Sequence, residues 1–230
     1  MVEFSCDVRR KFIVLILVMC GTLDYTKANH VAIGKNARQT DGSNASLAVD
    51  GRTDTCSQTA SVSAEWTLDL TEYYLIDGVK IYADNETKYK IEMGLALGQY
   101  EAVTIMNTNT YWYPASNGPY RHVRITANPQ NQPLKLCELE LWGDSKPRTP
   151  QFRVFTGIAM SNPPVRTVSS VCQIECSSIC LGQTKPACVT AQFDQSRKSC
   201  ALFDGFEHVE SPTNANKTVV FAFAAHIFTK

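Results

Sequence analysis

Two short runs in this chain gather thiol, carboxylate and hydroxyl side chains. The first is Ala48-Val49-Asp50-Gly51-Arg52-Thr53-Asp54-Thr55-Cys56-Ser57-Gln58-Thr59, and the second is Leu136-Cys137-Glu138-Leu139-Glu140-Leu141. Each puts oxygen donors beside a cysteine. Thiols favour a disulfide in an oxidising compartment, and clustered carboxylate, hydroxyl and carbonyl oxygens favour a hard cation. The plain alternative makes Asp50-Gly51 a simple turn and Glu138 a solvated edge residue. Catalysis is the weaker reading. The four histidines, His30, His122, His208 and His226, form no H-E-x-x-H, and neither a G-x-S-x-G elbow nor a phosphate-cradling Walker loop occurs. The expectation is a secreted binding module and not an enzyme.

Strands are expected to carry both runs. Trp66-Thr67-Leu68-Asp69-Leu70, Val79-Lys80-Ile81-Tyr82 and Val123-Arg124-Ile125-Thr126 alternate apolar and polar residues. Period two over short runs, separated by Asp-Gly, Asn-Gly and Asn-Pro signals, predicts an all-β sandwich over residues 29–143. Apolar alternation through Leu134 and Leu136 resumes at Leu139 and Leu141 with its parity slipped. That slip predicts a β-bulge at Cys137-Glu138, of the kind that re-aims side chains. A polar linker with two prolines follows at 144–150, and a second domain is expected over 151–230.

The N-terminus reads as a signal peptide over residues 1–28. Arg9, Arg10 and Lys11 precede the apolar run Phe12 to Cys20, which is too short to span a bilayer. Thr26-Lys27-Ala28 places cleavage after Ala28, with a site near Gly21 as the alternative. Beyond residue 28 the charges nearly cancel, at 18 Lys plus Arg against 19 Asp plus Glu. With no basic run, neither nucleic acid nor membrane insertion is expected. Asn44, Asn85 and Asn216 begin N-x-S/T triplets, so each is an N-glycosylation candidate on a secreted glycoprotein.

Five of the seven cysteines beyond residue 28 lie in the second domain. Cys172, Cys176 and Cys180 are spaced by four and share one helical face. Ser170 and Gln173 suggest a capping box before that helix, and Gly182 a C-terminal cap. Cys188 to Phe193 and Cys200 to Phe203 read as strands joined by a polar turn. A small α+β unit of this kind leans on disulfides for stability.

Residues 29–143 resemble the discoidin-type (coagulation factor C-type) sandwiches, and within them the fucolectins. The residues that carry the resemblance are Val31-Ala32-Ile33-Gly34-Lys35, Ala48-Val49-Asp50-Gly51, Cys56-Ser57-Gln58-Thr59, Trp66 to Leu70 and Leu136 to Leu141. It implies a jelly-roll-like (galactose-binding-like) sandwich with a Cys56–Cys137 disulfide. It also implies a structural calcium held by the Asp50 and Glu138 carboxylates, the Thr55 oxygens and the carbonyls of Leu47, Arg52 and Cys137. The stretch from Asp50 to Cys56 is shorter than in typical fucolectins. The sugar-binding His and two Arg of that family fall at Gln58, near Asp84 and near Lys90, and the vicinal cysteine pair that packs on the sugar is missing. Glycan binding is therefore expected and fucose specificity is not. Tyr82, Tyr89, Tyr111, Trp112 and Tyr113 are either core residues or rings that stack on a sugar.

The second half resembles PAN/Apple domains, through Glu175-Cys176-Ser177-Ser178-Ile179-Cys180, Cys188-x4-Phe193-Asp194 and Lys198-Ser199-Cys200-Ala201-Leu202-Phe203. That resemblance implies Cys176–Cys200 and Cys180–Cys188 disulfides, although spacing alone permits other pairings. Cys172 is then left as a free, reactive or intermolecular thiol that could link a homo-oligomer. The alternatives are a shifted pairing with Cys180 free, or a buried unpaired cysteine. Together the two resemblances describe a secreted lectin-like protein with glycans or glycoproteins as partners. The alternative is a cell-adhesion or protein-interaction factor that uses both modules without binding sugar.

Overall fold

The structure is a computed structural model that describes residues 29–42, 44–83, 88–116, 118–145, 151–210 and 217–223. The expected signal peptide, Asp84, Asn85, Asn216 and most of the linker lie outside the described residues. The chain divides into two compact units, which part between Gln151 and Phe152.

The first unit holds strands β1 (Asn29–His30), β2 (Asn36–Gln39), β3 (Ser57–Val62), β4 (Glu65–Tyr82), β5 (Lys88–Gly94), β6 (Ala102–Asn107), β7 (Tyr111–Trp112), β8 (Tyr120–Asn128), β9 (Pro133–Leu136) and β10 (Glu138–Asp144). It is the all-β sandwich that the alternating runs predict. One sheet runs in the order β1-β10-β4-β8-β5-β6, with β2 and β7 also on β4, and β3 pairs β9 in a separate ribbon.

The long strand β4 shapes the sandwich. Its first part, Glu65 to Asp69, pairs β8 and β2. Its last part, Leu75 to Tyr82, pairs β10, with β7 along its other edge. Between them Thr71 takes a φ of 67° and the β8 register shifts. The strand therefore leaves one face of the sandwich and continues in the other, which is how strands turn corners between packed sheets. Asp77-Gly78, a turn signal in the sequence, sits inside this strand. Gly78 lies opposite Trp142 and is covered by rings, so tertiary packing overrides the local preference.

Trp66, Leu68, Leu70, Ile76, Ile91, Val123, Ile125, Leu139 and Leu141 all point into one buried core. Trp66 keeps its indole N–H satisfied by donating to the Ala45 carbonyl at 3.0 Å. Burying each such side chain contributes about 1.5–3 kcal/mol.

The second unit holds β11 (Gln151–Phe155), β12 (Ile158–Met160), β13 (Arg166–Ser169), α1 (Gln173–Gly182), β14 (Thr190–Asp194), β15 (Ser199–Phe203), β16 (His208–Glu210) and β17 (Lys217–Phe223). Its main sheet is ordered β11-β17-β14-β15-β13. The helix α1 packs on β14 and β15. Cys176–Cys200 and Cys180–Cys188 disulfides tie it down, and their sulfurs sit in the small core with Phe193 and Leu202.

Three local features differ from those the sequence predicts. Cys172, not Ser170, caps α1, and it does so without a side-chain bond. Glu175 reaches back instead, its carboxylate accepting from the Val171 amide at 2.7 Å and from the Ser170 hydroxyl at 3.2 Å. Gly182 is the last helical residue, and Gln183 beyond it is extended. Cys172 is itself disulfide-bonded, so it is not the free thiol that the sequence left open.

Candidate functional site

The two cysteine-bearing runs meet. A disulfide joins Cys56 to Cys137 across 81 positions of sequence, with their Cα atoms 3.7 Å apart. Cys137 lies between β9 and β10 and donates its amide to the Tyr82 carbonyl at 2.8 Å. The parity slip seen in the sequence is therefore a passage from one strand pair to another. The β10 register shift lies later, between Trp142 and Gly143.

A 3-10 helix, Ala45–Val49, delivers the oxygen donors of the first run. Asn44 caps it, its side-chain oxygen accepting from the Ser46 amide, and Asp50 ends it. Asn44 itself is exposed, as a glycan acceptor must be. Gly51 takes a φ of 82°, which turns the chain back toward Asp50. The Asp50 carboxylate accepts from the Arg52 amide at 2.9 Å and from the Thr55 hydroxyl at 2.7 Å. That hydroxyl also lies 3.4 Å from the Arg52 carbonyl. Arg52 pairs with Asp54 at 2.9 Å, an exposed contact of little energetic weight.

Glu138 faces this loop. By strand parity it should point to solvent with Glu140, yet it is only 1% exposed because the 50–55 loop covers it. One carboxylate oxygen, Oε2, accepts from the Gly51 amide at 3.2 Å. The other, Oε1, is buried with no partner. Burial pushes this carboxyl up to about 7. The negative charges of Asp50 and Glu140 act in the same direction, against the Gly51 and Arg52 amides. An ionised carboxylate without a full set of partners is costly in such a place.

Asp50, Thr55, Arg52 and Glu138, four of the residues named for a cation, thus converge. Leu47 lies in the 3-10 turn and Cys137 directly precedes Glu138, so both flank the same loop. Among the described residues no group of three or more His, Cys, Asp or Glu side chains gathers. A cation here would need hydroxyl and carbonyl oxygens as well as the two carboxylates. That donor set suits calcium, which accepts six to eight oxygens of mixed type, and does not suit zinc.

Of the three glycan-binding candidates, Asp84 lies outside the described residues, and Gln58 and Lys90 lie on different strands. Gln58 is exposed on β3, between Ser57 and Thr59, which are buried, and it lies opposite Lys135 of β9. Lys90 lies on β5, where neighbouring side chains project to opposite faces. Tyr89 points inward and its hydroxyl donates to the Lys135 carbonyl at 2.7 Å. Lys90 therefore points to the other face, where it pairs with Glu92 at 2.8 Å. Glu92 also accepts from Arg124 at 2.7 Å, and Arg124 lies under the Tyr100 ring. Burial works against ionisation of Glu92, but hydrogen bonds from Arg124 and Lys90 outweigh it and hold the carboxyl below the usual range. Lys90 thus belongs to an ion network with Glu92 and Arg124.

The strand bearing Gln58 is clamped by a close approach. Gln39 donates to the carbonyls of Asp41 and Gln58, and Ser57 donates to the Gln39 side chain. Gly42 packs its backbone on the same strand with a φ of 90°. A Cβ there would lie 2.2 Å from the Gln58 carbonyl oxygen. Gly42→Ala is expected to lower stability by about 2–4 kcal/mol, read by urea titration. An unchanged midpoint would contradict the close approach.

The aromatic candidates split. Tyr89 is fully buried and Trp112 packs against the core, whereas Tyr111 and Tyr113 are 54% and 71% exposed. Trp142 joins them, its ring 5.4 Å from that of Tyr111. The sequence held the signal for Trp142. It shares parity with Glu138 and Glu140 on β10, the outward side of the strand.

No protein-family model matches the chain, and no curated protein matches it. Solved structures do. The lectin domain of lectinolysin, in complex with Lewis B antigen, is 21% identical across 51% of this chain and 99% of its own, with a TM-score of 0.46. A fucose-binding module of Streptococcus pneumoniae is 18% identical across 51% of this chain and 96% of its own, also at 0.46. A family 89 glycoside hydrolase of Clostridium perfringens is 16% identical across 50% of this chain but only 14% of its own, at 0.44. At such levels a ligand does not transfer from one protein to another. Among the described residues no helix is long and apolar enough to cross a membrane.

Proposed function

We propose that this chain is a secreted, lectin-like recognition protein that binds glycans, with one calcium ion stabilising the loop that follows the 3-10 helix. The single observation that carries the reading is Glu138. A carboxylate with one orphaned oxygen, sealed under a loop of further oxygen donors, is what a cation would complete. Asp50 and Glu138 would supply charge, Thr55 its hydroxyl, and Leu47, Arg52 and Cys137 their carbonyls. Bound there, calcium would tie the first cysteine run to the last strand and fix the approach to β3. Gln58, exposed on that strand, offers amide donors and an acceptor to sugar hydroxyls. The ion-paired state of Lys90 argues against fucose as the favoured sugar. The second unit is read as a PAN/Apple-type module, supported by a helix held to a sheet by two nested disulfides.

Calorimetry with calcium is the first test. Saturable binding is expected for the full chain and its loss for Glu138→Ala. A glycan array read in calcium and again in chelator is the second. Retention of no sugar in either condition would reject the lectin reading.

The adhesion alternative has one observation in its favour. Val171 and Ile174, at the start of α1, are 68% and 56% exposed, which suits contact with a protein partner.

A further inference from the structure

Tyr111 on β7 and Tyr113 just beyond its end stack side by side. Their ring centroids are 6.4 Å apart and their planes differ by 11°. Trp142, on β10, stands 30° from the plane of Tyr111. The bare backbone of Gly78 lies among these rings. A Cβ built there would lie 3.4 Å from the Trp142 ring and 3.6 Å from that of Tyr113. The rings therefore lie along the outer face of the sheet over a glycine, the cross-strand arrangement in which aromatic rings cover a missing side chain. Together they form a shelf of three aromatic side chains with similar tilt, two of them more than half exposed.

Polar groups line one side of this shelf. Lys80 and Glu140 are directly opposed across β4 and β10. The Lys80 ammonium donates to the Tyr82 hydroxyl at 2.7 Å and lies 4.8 Å from the Tyr111 ring centroid. The Tyr82 hydroxyl donates to Glu140 at 3.3 Å. One positive and one negative charge thus offset each other, while donors and acceptors remain at the rim.

The geometry points to a second binding surface on the outer face of β10, β4 and β7, one that takes a neutral glycan chain by stacking its pyranose rings on Tyr111, Tyr113 and Trp142. A pyranose has one face of C–H groups and a girdle of hydroxyls, each able to donate and accept. That pairing of apolar face and polar edge matches flat rings beside Lys80, Tyr82 and Glu140. The balanced charge offers no complement to a strongly acidic or basic partner. Three aromatic side chains cover roughly 150–250 Å² each even when fully buried, below the roughly 800 Å² that a stable protein partner covers on each side. None of the three rings belongs to the residues proposed to hold calcium, so binding on them is expected to persist in chelator.

The test uses the full chain and three neutral hexasaccharides, cellohexaose, chitohexaose and laminarihexaose, titrated in chelator while tryptophan emission is followed. Saturable binding of at least one is expected. Tyr113→Ala should weaken it by about tenfold and Tyr113→Phe should leave it nearly intact, because the ring and not its hydroxyl makes the contact. Gln58→Ala tests the alternative, that the strand beside the calcium loop holds the same glycan. Near-ultraviolet circular dichroism would show that each variant is folded. Binding of none of the three, or undiminished binding in folded Tyr113→Ala, would overturn the proposal. Loss of binding in Gln58→Ala with Tyr113→Ala unaffected would overturn it as well.

Discussion

Replacing Cys56 and Cys137 together with alanine is expected to lower the stability of the first unit by about 4–5 kcal/mol. The bridge closes a loop of 81 positions, and the loss of chain entropy it imposes on the unfolded state grows with loop length. The Cys180–Cys188 bridge closes only 8 positions and is expected to contribute about 2–3 kcal/mol. Urea unfolding of the two double-alanine variants, followed by near-ultraviolet circular dichroism, would rank them. A larger loss for the short loop would contradict the entropic account. The long bridge also holds the β3 start against the strand passage at Cys137, directly beside Glu138. The variant without it should therefore bind calcium more weakly as well.

The second large effect is a crossed response to pH and metal at Glu138. In chelator its carboxyl is pushed up to about 7 in the folded chain, against an ordinary value of 4.5. The folded state then holds more protons than the unfolded state between these values, so stability falls as pH rises through that window. Above pH 7 the full penalty is in force, on the order of 3 kcal/mol. The groups facing Glu138 are Asp50, whose charge adds to the penalty, the Gly51 and Arg52 amides, which oppose it, and Glu140 on its own strand. Glu138→Gln removes the charge. In chelator at pH 7.5 it should be more stable than the parent chain, and its stability should change less between pH 5 and 7.5. In calcium the order should reverse, because the parent gains a bound ion that the variant holds poorly. Thermal melts at two pH values, each with calcium and with chelator, give all four comparisons. A variant less stable than the parent in chelator at pH 7.5 would refute this account of the buried carboxylate.

Several features were readable from residues alone because their causes are local. Trp66 to Leu70 alternates and forms the first part of β4. Cys188 to Phe193 and Cys200 to Phe203 mark a hairpin whose strands pair from Thr190 to Phe203. The union of Trp66–Leu70 with Val79–Tyr82 in one strand was hidden. Thr71 bears a positive φ and Asp77-Gly78 looks like a turn, and only pairing with β8, β10 and β7 carries the strand through both. The burial of Glu138 was hidden for a similar reason. Parity sends it outward, and a loop some 85 positions away in sequence closes over it. The pairing of Lys90 with Glu92 depends on which face of β5 is inward, which Tyr89 decides by filling the core. The exposed aromatic pair was legible as residues but not as a surface. Tyr111 and Tyr113 are set apart from Tyr89 and Trp112 only by the packing around them.

The shared strand β4 has a mechanical consequence. Its amides are held by β2 and β8 at one end and by β10 and β7 at the other. Peeling it from one partner strains the layer it continues into, so the two layers should melt as one block. Deuterium should then enter Leu68 and Ile81, at opposite ends of that strand, at a common slow rate fixed by complete unfolding and not by fraying.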